Sequence, residues 1–154
     1  MTRRPGGFTI IELVVTLVVL GIVAAVVLPN FAGDLSFKTR GYFDQVLAAT
    51  EYARQEAVAR RRVACVQVSG SPARVRLYTS ASSPTNHNAC LVPLTDPKTN
   101  AAFDLPAPSG VSVSPNPAFI SFDWYGRPYT AATLTISGDG SYTLTVEAET
   151  GHVH

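Results

Sequence analysis

The sequence predicts an α+β fold, a long N-terminal α-helix, transmembrane over its first half, packed on a small antiparallel β-sheet domain. Three observations carry this. Residues 8–28 are apolar except at Thr9, Glu12, Thr16 and Gly21. Beyond Pro29, apolar side chains recur at three- and four-residue steps to about Arg61, the period of an amphipathic helix. After Arg62, Val, Thr, Tyr and Phe alternate with polar residues between Gly and Pro clusters, the period of strands.

The apolar run of 21 residues would reach roughly 30 Å as a helix, one bilayer core. A secretory signal peptide is the first competitor, but its apolar region is only about 7 to 15 residues and ends at a small-residue cleavage site. Here Ala24-Ala25 is followed by more apolar sequence. Arg3 and Arg4 precede the run and few basic residues closely follow it, which places the N-terminus on the cytoplasmic side and the remaining chain across the membrane. Glu12 is the anomaly. A carboxylate in a spanning helix costs about 2.5 to 3.5 kcal/mol at the centre and less near an end, so it normally has a partner. No Lys, Arg or His lies within 8–28, so the cation must come from outside its own helix.

Pro29 removes a backbone donor and crowds the preceding turn, so the helix should kink or open there. The pattern resumes over 29–62, with Leu35, Phe43, Val46, Leu47, Thr50, Ala53, Ala57 and Val58 on the apolar stripe, and Gly33 and Gly41 weakening its first turns. Strands are expected over 63–68, 74–78, 120–124, 133–136 and 142–147, with 79–117 rich in loops and prolines. A region of about 92 residues, 63–154, is enough for one small core and no second domain. There is no internal repeat.

Gly7-Phe8-Thr9-Ile10-Ile11-Glu12 closely resembles the class III leader junction of type IV pilins and type II secretion pseudopilins. The resemblance implies that residues 1–7 are a prepilin leader, removed after Gly7 by a membrane-embedded prepilin peptidase that then methylates the new amine on Phe8. It implies that Glu12 meets the terminal amine of a neighbouring subunit during assembly, which supplies the missing cation. It also implies one continuous helix, membrane-embedded over 8–28 and packed on the globular domain over 29–62, in an inner-membrane protein with a periplasmic domain that later enters a filament. Expected partners are the peptidase, other pilins or pseudopilins and the inner-membrane assembly platform. A plain signal anchor is the competing reading. Ala53-Arg54-Gln55-Glu56-Ala57 before the first strand, Phe122-Asp123-Trp124-Tyr125-Gly126 and Glu149-Thr150-Gly151-His152-Val153 resemble the GspH/FimT class of minor pilins and pseudopilins. Pro29-Asn30-Phe31 resembles pilus-type subunits.

Loss of residues 1–7 leaves ten basic side chains against eleven acidic, so no global charge points to nucleic acid. Residues 31–90 are nonetheless net basic and 91–154 net acidic. Cys65 and Cys90 would face an oxidising periplasm, where an even count favours a bridge. A redox or metal pair would need closer spacing. His87, His152 and His154 invite a metal reading, His152 and His154 sharing a face if extended, but no acid or cysteine cluster adjoins them and solvated histidines are the simpler account. No nucleophile elbow, phosphate loop or zinc-protease helix occurs, so neither catalysis nor a cofactor is expected.

Two functions fit the resemblance: a structural subunit at or near the tip of a type IV pilus or type II secretion pseudopilus, or a DNA-binding minor pilin for natural transformation. Some FimT-like proteins bind DNA through a C-terminal Gly-Arg-x-Arg pattern. The matching residues here are Gly151-His152-Val153-His154, whose neutral imidazoles attract phosphate far less than guanidinium groups do. Arg60, Arg61 and Arg62 could substitute as DNA contacts, although a charged helix end has a simpler reading, since cations there complement the helix dipole. The structural subunit is the favoured expectation.

Overall fold

The structure, a computed structural model, describes residues 8–32, 35–81 and 90–154, with side chains over 8–25 and from residue 35 onward within those segments. It divides into two compact units, Met1–Asp34 and Leu35–His154.

The first unit holds α1 (Ile10–Ala32). Its start follows from a local motif. Thr9 precedes the helix, and its hydroxyl accepts a hydrogen bond from the Glu12 backbone N–H at 3.3 Å. Ser or Thr with Glu three residues later is the pairing that satisfies the orphan donors of a first turn, and an acid there complements the helix dipole. The helix contains Pro29 and continues to Ala32. Among the described residues no helix is long and apolar enough to cross a membrane.

The second unit opens with α2 (Leu35–Arg60). Its buried stripe is Thr39, Tyr42, Val46, Ala49, Thr50, Ala53 and Ala57, at the expected helical steps. Thr39 and Thr50 are tolerated inside because their hydroxyls donate back to the Leu35 and Val46 carbonyls at 2.7 and 2.8 Å. The Tyr42 hydroxyl donates to the Leu105 carbonyl at 3.2 Å. Burial, with the Asp104 charge second, pushes its pKa up to about 12, so it is a neutral donor at any physiological pH. Val58, expected on this stripe, is 47% exposed, because it follows Ala57 by one residue and so points about 100° round the helix from the core. Arg61, in the left-handed region at φ 51°, ends the helix, and the Arg62 N–H caps the Ala57 carbonyl at 3.1 Å.

Eight strands follow: β1 (Ala64–Ser69), β2 (Arg74–Ser80), β3 (Cys90–Pro93), β4 (Asp104–Pro106), β5 (Ser112–Asn116), β6 (Phe119–Phe122), β7 (Ala132–Ser137) and β8 (Ser141–Val146). They form two antiparallel sheets, β3-β2-β1-β6 with β4 also on β2, and β5-β7-β8. The five expected strands are present. The region expected to be loop holds three more, β3, β4 and β5. Each carries a proline, Pro93, Pro106 or Pro115, and each lies at a sheet edge, where a missing N–H need cost no ladder bond. β3 and β4 sit in tandem along one edge of β2, opposite Tyr78–Ser80 and Arg74–Arg76 respectively. Helix α2 packs on strands of both sheets, and Val46, Val66, Leu77, Phe122, Leu134, Ile136 and Leu144 make the core between them.

Candidate functional site

At the N-terminus, Gly7 lies outside the described residues, so of the expected cleavage junction only Phe8 is described. Phe8, Glu12 and every other described side chain up to residue 25 are exposed, so the apolar side chains of α1 over that stretch pack on nothing in their own unit. Glu12 makes no ion pair among those described. Large exposed apolar surfaces mark contact with lipid or protein, and this one is far larger than a scatter of single residues.

Cys65 and Cys90 form a disulfide with a Cα–Cα distance of 6.1 Å. It ties β1 to the first residue of β3 across β2, at the point where the β2–β3 register shifts. The bridge closes a 25-residue separation, for which the chain-entropy estimate is about 3 to 4 kcal/mol of stability. Reduction is therefore expected to lower Tm by roughly 10 °C or more. Differential scanning fluorimetry with and without reductant checks this, and alkylation of denatured, unreduced protein should find no free thiol.

The basic triplet does not present three free guanidinium groups. Arg60 is paired with Glu56, and Arg62 donates to the Ala81 carbonyl at 2.8 Å. Arg61 remains exposed at the helix end. The C-terminal histidines are exposed, but their backbone is structured: His154 and Thr145 exchange both main-chain hydrogen bonds, at 2.7 and 3.0 Å, and Glu147 N–H donates to the His152 carbonyl at 2.9 Å. The tail thus turns back and pairs antiparallel beside the end of β8, Val153 opposite Val146, burying Val153 and stacking the two imidazoles with centroids 5.4 Å apart. His154 Nε2 lies 3.8 Å from a Glu147 carboxylate oxygen. Among the described residues no group of three His, Cys, Asp or Glu side chains converges to hold a metal, and His87 lies outside them.

A cluster that residue-type reasoning missed lies around Arg54. Its Nε donates to the Gly126 carbonyl at 3.1 Å and one terminal nitrogen to the Thr150 carbonyl at 3.3 Å, while the other pairs with Glu51 at 3.4 Å. Glu51 in turn accepts the Val153 N–H at 3.3 Å. Gly126 (φ 81°) and Gly151 (φ 67°) sit in the left-handed region, and a Cβ on Gly151 would lie 2.0 Å from the Gly126 carbonyl oxygen. The three separate motif segments, around residues 53–57, 122–126 and 149–153, therefore meet in one clasp that fastens the β6–β7 turn and the tail to α2. The signal in the sequence was the two glycines; what they approach was not.

An apolar helix preceded by Arg3 and Arg4, and a second helix packed on two antiparallel sheets, are the arrangement of pilin-like subunits. Residues 2–28 match the prokaryotic N-terminal methylation motif and residues 43–150 match the family described as type II transport protein GspH. The chain belongs to the GspH family. In fold it is similar to the type IV minor pilin FimU of Pseudomonas aeruginosa, at 17% identity and TM-score 0.54 over 75% of this chain and 90% of that one. It is also similar to the minor pseudopilin EpsH of the Vibrio cholerae type II secretion system, at 12% identity and TM-score 0.60 over 79% of this chain and 94% of that one. No curated protein sequence matches the chain. The family and fold are those of structural pilin and pseudopilin subunits.

Proposed function

We propose that the protein is a minor structural subunit assembled at or near the tip of a type IV pilus or a type II secretion pseudopilus. The observation that carries this is one chain joining a methylation motif at residues 2–28 to a GspH domain at 43–150. In this reading prepilin peptidase cuts between Gly7 and Phe8 and methylates Phe8. Residues 8–28 anchor the precursor in the inner membrane with the domain in the periplasm, and the helix is later drawn into the filament core by the assembly platform. The uncovered apolar surface of α1 supports it, because lipid and then neighbouring pilins or pseudopilins would cover that surface. Pro29, near the end of the expected span, would let the helix bend or open where it leaves the membrane. The minor pilin and minor pseudopilin with this fold support the low-copy role.

DNA uptake is the weaker reading. Of the arginines that would replace the missing pair at the tail, Arg60 is already paired to Glu56 and Arg62 to a backbone carbonyl.

The junction is tested by Gly7→Val coexpressed with the peptidase. A glycine-sized peptidase pocket should reject the branched side chain, so intact mass should show the wild-type chain shortened by about seven residues and the variant at full length. A shortened variant would refute the assigned junction.

A further inference from the structure

The tail carries a pair of histidines that neither the clasp nor the filament reading uses. His152 and His154 alternate along an extended segment, so their side chains fall on one face. The fold fixes which face that is. Val153 between them lies opposite Val146 of β8, and both valines are buried. The imidazoles therefore point outward, beside the outward residues at the end of β8. One of these is Glu147, whose N–H donates to the His152 carbonyl, and the other is Thr145, which exchanges both main-chain bonds with His154. An acid from before the turn thus becomes a cross-strand neighbour of both histidines, with its carboxylate oxygen 3.8 Å from His154 Nε2. Among the described residues no Lys or Arg pairs with Glu147. The backbone beneath these groups is held on all sides. The Gly151 N–H donates to the Glu147 carbonyl at 2.9 Å and the His152 N–H to the Thr150 hydroxyl at 3.1 Å, while Glu51 and Arg54 hold Val153 and Thr150.

We infer that His152 and His154, with Glu147 as third donor, bind one divalent first-row metal ion, Zn²⁺ or Ni²⁺, and so fasten the tail to β8. The donor set selects the ion. Imidazole nitrogen suits Zn²⁺, Ni²⁺ and Cu²⁺, and Zn²⁺ also takes carboxylate oxygen, whereas Mg²⁺ and Ca²⁺ call for shells of oxygen. Two imidazoles and a carboxylate fill three positions of a tetrahedral ion and leave the fourth to water. As the side chains stand they do not converge on one point. All three are exposed, however, so turning the rings and the carboxylate toward one another displaces no packed group and leaves the backbone in place. No thiolate competes, since both cysteines are in the disulfide. Glu147 directly follows β8 and the histidines lie on the returning tail, so an ion shared by them closes the turn and reinforces the clasp. The site is independent of the filament reading.

The test titrates Zn²⁺ and Ni²⁺ separately into full-length protein in detergent, freed of metal by chelation, and follows both the heat of binding and Tm. One ion per chain is expected, with Tm raised by about 5 °C or more at a hundredfold excess over Kd. His152→Gln and His154→Gln should each weaken binding by roughly tenfold or more, and Glu147→Gln severalfold, with the metal-free Tm unchanged. The double histidine variant, which keeps His87, should show no rise in Tm with either ion. Mg²⁺ and Ca²⁺ should leave Tm where it was. Failure of both Zn²⁺ and Ni²⁺ to bind the unsubstituted protein would overturn the inference. So would undiminished binding to the double variant, dependence on only one of the two histidines, an equal response to Mg²⁺ or Ca²⁺, or binding without a rise in Tm.

Discussion

Gly151→Ala is expected to destabilise the domain Leu35–His154 by about 3 to 5 kcal/mol, the largest effect of any single methyl group added to it. Gly151 holds φ at 67°, where a side chain costs about 1 to 2 kcal/mol. The new Cβ would stand 2.0 Å from the Gly126 carbonyl oxygen, a backbone atom that cannot rotate aside. Tail and turn must part by more than an ångström, and the charged hydrogen bonds from Arg54 to both segments stretch with them, each worth about 1.5 to 3 kcal/mol. Against a typical total of about 5 to 15 kcal/mol this removes much of the stability. Thermal unfolding should show Tm lowered by more than about 10 °C. Gly140→Ala is the control: its new Cβ meets nothing nearer than Tyr142 at 3.7 Å, ordinary contact, so Tm should move by only a few degrees. Equal effects at the two glycines would show that the close approach at Gly151 carries no special strain.

Glu12→Ala is expected to leave membrane fractionation intact and to cut recruitment into filaments to a few per cent of wild type. Near the end of a span a carboxylate can remain hydrated, so insertion does not depend on it. A filament core is drier, and removing one partner of a buried ion pair costs about 3 to 5 kcal/mol, or several hundredfold in an equilibrium. Glu12 also sits where it supports the start of α1, behind the Thr9 cap. Glu12→Gln separates the two roles, because glutamine serves the first turn of a helix as glutamate does but cannot pair with an amine. If charge is the cause, both variants fail in the sheared filament fraction; recovery by glutamine would move the role of Glu12 to helix capping. Wild-type recruitment of the alanine variant would end the assembly reading altogether.

Much of the architecture was legible because its signals are local. The steps of Val46, Thr50, Ala53 and Ala57 mark a buried helical stripe whatever covers it, and the alternation in β7 and β8 marks strands whatever they pair with. The edge strands β3, β4 and β5 were not legible, since proline argues against a strand until it is known that the strand lies at an edge. Val58 was misplaced because it adjoins a buried position, and only the packed helix shows which way the stripe faces.

The sequence by itself determined the Gly7-Phe8 pattern on which the proposed junction rests, the anomalous carboxylate at Glu12, the apolar length of 8–28 and the order helix then strands, since each depends on neighbours along the chain. It also supplied the two cysteines, though not the geometry that joins β1 to β3. Tertiary structure alone decided that the strands divide into two sheets, that the tail histidines lie on a short segment paired antiparallel with the end of β8, and that Arg54 fastens Gly126 and Thr150 from 72 and 96 residues away. The acceptors in that clasp are backbone carbonyls, which every residue possesses, so no choice of side chain announces them until the folded chain brings them within hydrogen-bond reach.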